Sequence, residues 1–160
     1  MDLERWMDEA LSLAREAEAA GEVPVGCVVV RDGVILGRGR NRREEEKSAL
    51  AHAETEAIRE ACRTLGDWRL TDCRLYVTLE PCPMCAGAIL NARLPVVVYG
   101  LREGKSGALG SVLDLFGEDL GFRPRVYGGV REDACRELMR GFFARLREGT
   151  GAGEIAVDRT

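Results

Sequence analysis

The sequence has 160 residues, of which 46% are hydrophobic and 31% charged, a composition typical of one globular domain. Its formal net charge of -4 argues against a nonspecific nucleic-acid coat, which needs a broad basic surface to release phosphate counterions. The N-terminus is charged and no run of eighteen apolar residues occurs, so the sequence predicts neither a secreted nor a membrane protein. We expect a cytoplasmic protein.

The predicted elements begin with a helix and a hairpin. Residues 2–20 carry apolar side chains at three- and four-residue steps, which predicts an amphipathic helix that ends at Gly21. Two apolar runs, 25–30 and 34–36, flank an Asp-Gly pair and therefore predict a β-hairpin. The polar stretch 38–48 predicts a loop after this hairpin.

The middle of the chain alternates between helix and strand. Helical periodicity resumes at residue 49 and ends at Gly66. The apolar runs 75–79 and 96–99 predict two buried strands, and a helix is predicted between them over 83–92. A strand-helix-strand unit of this kind implies a parallel pair of strands.

The last part of the chain starts with a Gly-rich loop over 104–110, which leads to a short apolar segment at 112–116. An apolar stripe at helical spacing predicts a final helix from about residue 132 to 147. We find no repeats and predict a single catalytic domain over residues 1–148, followed by a loose C-terminal tail over 149–160.

Two short motifs carry the residue types of a catalytic metal site. Residues 52–54 are His-Ala-Glu and contain the only histidine, and residues 82–85 are Cys-Pro-Met-Cys. One imidazole and two thiolates suit zinc, and three protein ligands leave the fourth tetrahedral position open for water, as in catalytic zinc sites. The spacing therefore predicts His52, Cys82 and Cys85 as ligands of one Zn²⁺ ion.

Both motifs are predicted at the beginnings of helices. The proline after Cys82 suits a first helical position, which places Cys82 at the cap and Cys85 in the first turn. A helix N-terminus lowers the pKa of a thiol and so favours the metal-binding thiolate. We place His52 and Glu54 in the first turn of the preceding helix. Because Glu54 cannot share the face of His52, we assign it to the metal-bound water as the proton carrier.

Each motif alone has plainer interpretations. A His-x-Glu is most often a helical histidine beside a solvated glutamate, and Cys-x-x-Cys also occurs in redox pairs and structural zinc sites. A redox pair does not need the upstream His-x-Glu, and a structural zinc needs a fourth ligand nearby, for which no second histidine exists. The combination favours a catalytic metal. The other four cysteines are predicted to be small buried side chains: Cys27, Cys62, Cys73 and Cys135.

Longer segments of the chain resemble the bacterial tRNA-specific adenosine deaminases, members of the cytidine deaminase-like zinc deaminases. The resemblance runs from about residue 3 to 147 and is carried by residues 22–26, 41–42, 51–54, 76–88, 98–100 and 110–114. It implies a three-layer α/β/α sandwich with a mixed five-stranded sheet, one zinc ion per chain and a homodimer. It also implies hydrolytic conversion of adenosine to inosine at the wobble position of a tRNA anticodon.

The resemblance assigns roles to individual residues. It implies that His52, Cys82 and Cys85 are the zinc ligands and that Glu54 is the proton shuttle. It further implies substrate contacts at Asn41, at the backbone amides of Ala53 and Cys82, in a base pocket at Val25 and Ala51, and with a phosphate at Lys105. Plainer interpretations are a turn for Asn41, core positions for Val25 and Ala51, and a solvated loop for Lys105.

Two departures from the family pattern bear on the substrate. Residues 48–50, Ser-Ala-Leu, replace the triplet usual before the histidine motif, and residues 121–123, Gly-Phe-Arg, replace an Asn-His-Arg segment that helps position the anticodon loop. Phe122 could stack on an unpaired base, or it could be a core or dimer contact. Three hypotheses follow: a tRNA deaminase, a deaminase of a free base or nucleoside such as guanine or cytosine, and a noncatalytic partner subunit. Retention of Glu54 argues against the third.

Overall fold

The computed structural model describes residues 2–150, in which one mixed β-sheet lies between helices. The strands are β1 Gly26–Arg31, β2 Val34–Arg40, β3 Arg74–Leu79, β4 Val96–Leu101 and β5 Arg125–Tyr127. The helices are α1 Leu3–Ala19, α2 Arg43–Glu46, α3 Ala53–Leu65, α4 Pro83–Asn91 and α5 Glu132–Thr150, with a 3₁₀ turn at Leu115–Gly117. Among these helices, none combines the length and hydropathy needed to cross a bilayer.

The strands lie in the order β2-β1-β3-β4-β5. Strand β1 is antiparallel to both β2 and β3, whereas β3, β4 and β5 are parallel to one another. The predicted parallel pair around α4 is therefore confirmed, as is the mixed five-stranded sheet. Strand β5 has only three residues and no apolar run, which is why its local sequence did not indicate a strand.

The two faces of the sheet bury two separate apolar clusters. Side chains alternate between the faces of a strand, so Cys27 and Val29 of β1 pack with α3 and α4, while Val28 and Val30 pack with α1. Helix α5 contributes Cys135 to the α1 side. The helices thus form two outer layers, and the predicted α/β/α sandwich is confirmed.

The predicted hairpin is confirmed, but the loop after it is shorter than predicted. Asp32 and Gly33 both have positive φ, as a two-residue type I′ turn requires. Strand β2 continues to Arg40 because its pairing with β1 outweighs the polar character of its side chains. Helix α2 then occupies part of the segment that was predicted to be a loop over 38–48.

Two helix boundaries also differ from prediction. Helix α3 begins at Ala53, not near residue 49, because the hydroxyl of Thr55 accepts a hydrogen bond from the backbone N–H of His52 and fixes the cap there. Helix α5 continues to Thr150, so the first two residues of the predicted tail are helical. The rest of that tail, 151–160, lies outside the described residues.

Helix α3 packs directly against the backbone of strand β2. A Cβ atom built at Gly39 would lie 2.1 Å from the carbonyl oxygen of Ala53, and one at Gly37 would lie 2.1 Å from that of Ala57. Only glycine permits so close an approach between a strand and a helix. The position of the first turn of α3 is therefore set by the edge strand beneath it.

Candidate active site

The candidate site lies at the carboxyl ends of β3 and β4. Leu79 and Leu101 are register partners at these ends, so the segments that follow the two strands run side by side. Helix α4 begins four residues after β3 ends, and the N-terminus of α3 faces the same region, since His52 and Cys82 approach each other there. Crevices at the carboxyl ends of strands are the usual ligand sites of open α/β sheets.

The structure brings the three predicted metal ligands together. His52 and Cys82 are the N-cap residues of α3 and α4, and Cys85 lies in the first turn of α4. The Nδ1 atom of His52 is 3.7 Å from the Sγ of Cys82 and 3.5 Å from that of Cys85. A tetrahedral zinc with bonds of about 2.1 Å to nitrogen and 2.3 Å to sulfur would separate N and S by about 3.6 Å. These three donors therefore fit a zinc ion.

The predicted helix positions hold for the cysteines and fail for the histidine. Cys82 is at the cap and Cys85 is in the first turn, as the intervening proline indicated. His52 is not in the first turn of α3 but caps it, with extended backbone dihedrals. The Thr55 hydroxyl, which accepts from the His52 N–H at 3.1 Å, also donates to the carbonyl of Leu50. This bridge fixes the turn that aims the imidazole at the cysteines.

The two thiols have opposite pKa shifts. A hydrogen bond from Cys85, with a further one from His52, lowers the pKa of Cys82 to about 4 against the opposing effect of burial. The same contact with Cys82, together with burial, holds the pKa of Cys85 far above its ordinary range. Metal coordination would remove the remaining proton, because thiolates rather than thiols bind zinc.

Glu54 is a buried carboxyl group beside these donors. It lies in the first turn of α3, is 4% exposed and lines the same pocket as His52 and Cys82. Burial raises its pKa to about 7, although the nearby His52 lowers it. A carboxyl group whose pKa is close to neutral can accept and return a proton during one reaction.

Four of the residues predicted to contact substrate belong to the wall of this pocket: Val25, Asn41, Ala53 and Cys82. Sequence reasoning missed five further lining residues: Val23, Leu79, Glu80, Glu103 and Ser106. A usable signal existed for Glu80, since it follows a buried apolar strand directly. Glu103 follows β4 by two residues in the same way.

Asn41 is held by hydrogen bonds within the protein. It is 8% exposed, its side-chain amide donates to the carbonyl of Val23, and its side-chain oxygen accepts from the N–H of Arg43. Its backbone N–H donates to the carbonyl of Val25, and that of Arg42 donates to Ala51. These contacts agree with the interpretation of Asn41 as a turn residue, and they also fix Asn41 in the pocket wall.

The remaining three predicted residues are not in the pocket lining. Ala51 is buried, 3% exposed, immediately before His52. Lys105 lines a neighbouring groove of 660 Å³ between the end of β4 and α5, which shares Leu79 and Glu103 with the pocket. Phe122 packs against the core, and the guanidinium of Arg93 lies 6.0 Å from its ring centroid.

Comparison with known proteins places this site in a family. Residues 1–147 match the model of the MafB19-like deaminases. The chain is 45% identical to the tRNA-specific adenosine deaminase of Bacillus subtilis strain 168, over 91% of each chain. The chain belongs to the deaminase family that includes the tRNA-specific adenosine deaminases. The expectation of a hydrolytic deaminase is confirmed.

Solved structures of other deaminases share its fold. A tRNA:A34 deaminase structure from work on A-to-I editing at the wobble position of transfer RNA is 43% identical, with a TM-score of 0.81, over 84% of this chain and 98% of that one. A guanine deaminase from Bacillus subtilis is 44% identical, with a TM-score of 0.61, over 64% of this chain and 66% of that one. These matches confirm the expected cytidine deaminase-like fold for this deaminase.

Some relatives of this deaminase are much longer. The chain is 51% identical to a tRNA(Ile)-lysidine synthase of Deinococcus radiodurans over 88% of its own residues. It spans only 24% of that relative's length. The deaminase fold therefore also occurs as one part of larger proteins.

Proposed function

We propose that this protein is a zinc-dependent hydrolase that converts adenosine to inosine at the wobble position of a tRNA anticodon. The observation that carries the proposal is the meeting of His52, Cys82 and Cys85 beside the buried Glu54. It occurs in a chain that is 45% identical, nearly end to end, to a tRNA-specific adenosine deaminase.

The residues of the site have separate proposed roles in hydrolysis. His52, Cys82 and Cys85 would hold one zinc ion, which as a Lewis acid lowers the pKa of water to about 7. Glu54 accepts a proton from the attacking water, whose oxygen forms a bond to C6 of the adenine. It delivers that proton to nitrogen of the adenine, so that the bond between C6 and the exocyclic nitrogen breaks and ammonia leaves. We propose that the backbone N–H groups of Ala53 and Cys82, at the starts of two helices, donate to the substrate.

The size of the pocket suggests how the base would bind. The pocket has a volume of 30 Å³, which exceeds the roughly 10–15 Å³ that one water molecule needs. The reacting water would occupy this space, and the base would lie over its opening. We propose that Val25 and Ala51 contact the base there and that Asn41 donates to or accepts from the nucleoside.

The neighbouring groove favours an RNA substrate. Arg102, Lys105, Arg140 and Arg147 line it together with Phe143. Cationic side chains bind the phosphates of a nucleic acid, and an aromatic ring can stack on an unpaired base. A free base over the pocket opening would leave this groove unused, whereas an anticodon loop would reach both. We propose Lys105 as a phosphate contact. Base stacking by Phe122 is the alternative to its core packing, and Phe122→Ala distinguishes the two.

A free base or nucleoside is the second candidate substrate. The observation in its favour is the 44% identity to a guanine deaminase over 64% of this chain. A noncatalytic subunit is the least supported role, because Glu54 is retained beside the three donors. We further propose a homodimer and a cytoplasmic location, and light scattering of the purified protein would test the first.

The deciding experiment offers the purified protein two kinds of substrate. We expect inosine in a tRNA anticodon stem-loop that carries adenosine at the wobble position, and no ammonia from guanine, cytosine, adenosine or cytidine. The control is Glu54→Ala, which should retain zinc and lose turnover. Ammonia from a free base with no inosine in the RNA would reject the tRNA assignment. Equal zinc loss in Glu54→Ala would place Glu54 among the metal ligands.

A further inference from the structure

One buried carboxylate ties the loop after β4 to the end of β3. Glu80 is 2% exposed, and its Oε1 atom accepts hydrogen bonds from the N–H of Glu103 at 3.1 Å and from the hydroxyl of Ser111. Its Oε2 atom accepts from the N–H groups of Leu109 at 2.9 Å and Ser111 at 3.2 Å. A single side chain thus holds both ends of residues 103–111, which we call the strap.

The strap lies directly against this carboxylate. A Cβ atom built at Gly107 would lie 2.6 Å from the Oε2 of Glu80 and 2.5 Å from the carbonyl oxygen of Glu103. The next residue, Ala108, donates its N–H to the carbonyl of Pro81 at 2.9 Å. No side chain would therefore fit between Gly107 and Glu80, and the four donors to Glu80 oppose movement of the strap away from it.

The strap also forms substrate-facing surface. Glu103 and Ser106 line the pocket beside His52, Glu54 and Cys82. Lys105 and Glu103 line the basic groove, and the Lys105 N–H donates to the Glu103 side chain at 2.9 Å. The positions of these side chains depend on how the strap is anchored.

We propose that Glu80 is a positioning residue, whose carboxylate fixes the strap and through it the pocket wall and basic groove that receive the substrate. Both of its oxygens are taken by donors of the strap, so it has no part in proton transfer. The identity of the substrate in this proposal rests on the proposed function, whereas the anchoring of the strap by Glu80 does not.

Three variants separate the contacts of Glu80. Glu80→Gln keeps the size of the side chain but turns one acceptor toward the strap into a donor, and Glu80→Ala removes all four hydrogen bonds. Ser111→Ala removes only the hydroxyl contact. The control is Leu11→Ala. Leu11 is 2% exposed and lies on the α1 face of the sheet, so this substitution should destabilise the fold without altering the strap.

The measurements are the KM and kcat for an anticodon stem-loop, the zinc content, and the hydrogen exchange of the Leu109 and Ser111 amides. We expect Glu80→Gln to raise KM about ten- to hundredfold, the range for lost hydrogen bonds to a charged group, with kcat and zinc content nearly unchanged. Glu80→Ala should raise KM further, and Ser111→Ala should raise it less. Amide exchange should be fastest in Glu80→Ala, slower in Glu80→Gln and slower again in Ser111→Ala.

Several results would overturn the proposal. An unchanged KM with faster exchange would show that the strap does not position substrate, and unchanged exchange would show that Glu80 does not anchor it. An equal rise of KM in Leu11→Ala would attribute the effect to general stability, and zinc loss would attribute it to the neighbouring Cys82.

If wild-type protein deaminates a free base only, the proposed function fails and the same KM comparison is made with that base. If Glu80→Ala does not fold, Glu80→Gln and Ser111→Ala decide.

Discussion

The contact between β2 and α3 predicts that a single methyl group outside the pocket lining will impair catalysis. Gly39 lies on the edge strand, and its substitution by alanine would put a Cβ 2.1 Å from the Ala53 carbonyl oxygen and 2.6 Å from the Ala57 nitrogen. Ala53 lies between His52 and Glu54 in the chain. The clash therefore falls on the turn that carries His52 and Glu54, the proposed metal ligand and the proposed proton carrier.

The distances set the size of the effect. Real Cβ atoms essentially never approach a heavy atom closer than 3.0 Å, so the start of α3 must move from β2 by about 0.9 Å. A misplacement of about 1 Å can cost about 10²-fold in rate, and overpacking a core costs about 1–3 kcal/mol. We expect Gly39→Ala to lose about 10²-fold in kcat/KM per folded molecule and about 1–3 kcal/mol in the free energy of unfolding.

Gly37→Ala is a matched control on the same strand. Its Cβ would lie 2.1 Å from the Ala57 carbonyl oxygen and 2.7 Å from the Ala61 nitrogen, which is the same clash one helical turn further from His52. Urea unfolding should show similar destabilisation of both variants, while the inosine assay should show a much smaller loss for Gly37→Ala. Equal activity per folded molecule in the two variants would refute this reasoning.

Three further substitutions test separate parts of the site. Cys85→Ala should lose bound zinc and lower the melting temperature, and zinc removal from wild-type protein by a chelator should reproduce both effects; full zinc occupancy would contradict this. Asn41→Ala should raise KM more than it lowers kcat in the inosine assay, because Asn41 ties the pocket wall to Val23; an unchanged KM would contradict it. Phe122→Ala should lower stability in urea unfolding more than it changes KM, because the ring packs against the core; the opposite result would support base stacking.

The meeting of His52, Cys82 and Cys85 could be predicted from sequence because each motif is local. A proline after Cys82 fixes where α4 starts, and the cap then brings Cys85 to the same point. The meeting of the two motifs needed no detailed topology, since only one histidine exists to complete the set. The cap position of His52 was missed because it depends on Thr55, whose hydroxyl bridges two backbone groups of the preceding turn.

The buried carboxylates could not be predicted in the same way. Glu22 accepts hydrogen bonds from the N–H groups of Glu44 and Glu45, and Glu80 accepts from residues 103–111. Each bond joins segments more than twenty residues apart, so no local pattern marks these glutamates as buried. Helix α2 was missed for the same reason, because Glu22 supplies acceptors for its first turn.

The residues that we propose to select the substrate depend on long-range contacts more than the proposed catalytic residues do. Lys105 reaches the basic groove from the strap, while Arg140 and Arg147 reach it from α5, so the groove exists only after the fold has formed. The departure from the family pattern at residues 121–123 lies elsewhere, since Phe122 packs against the core beneath Arg93. Loss of a family histidine there leaves the pocket wall and the groove in place. The basic groove that we propose as the contact for an anticodon loop is therefore formed without that histidine.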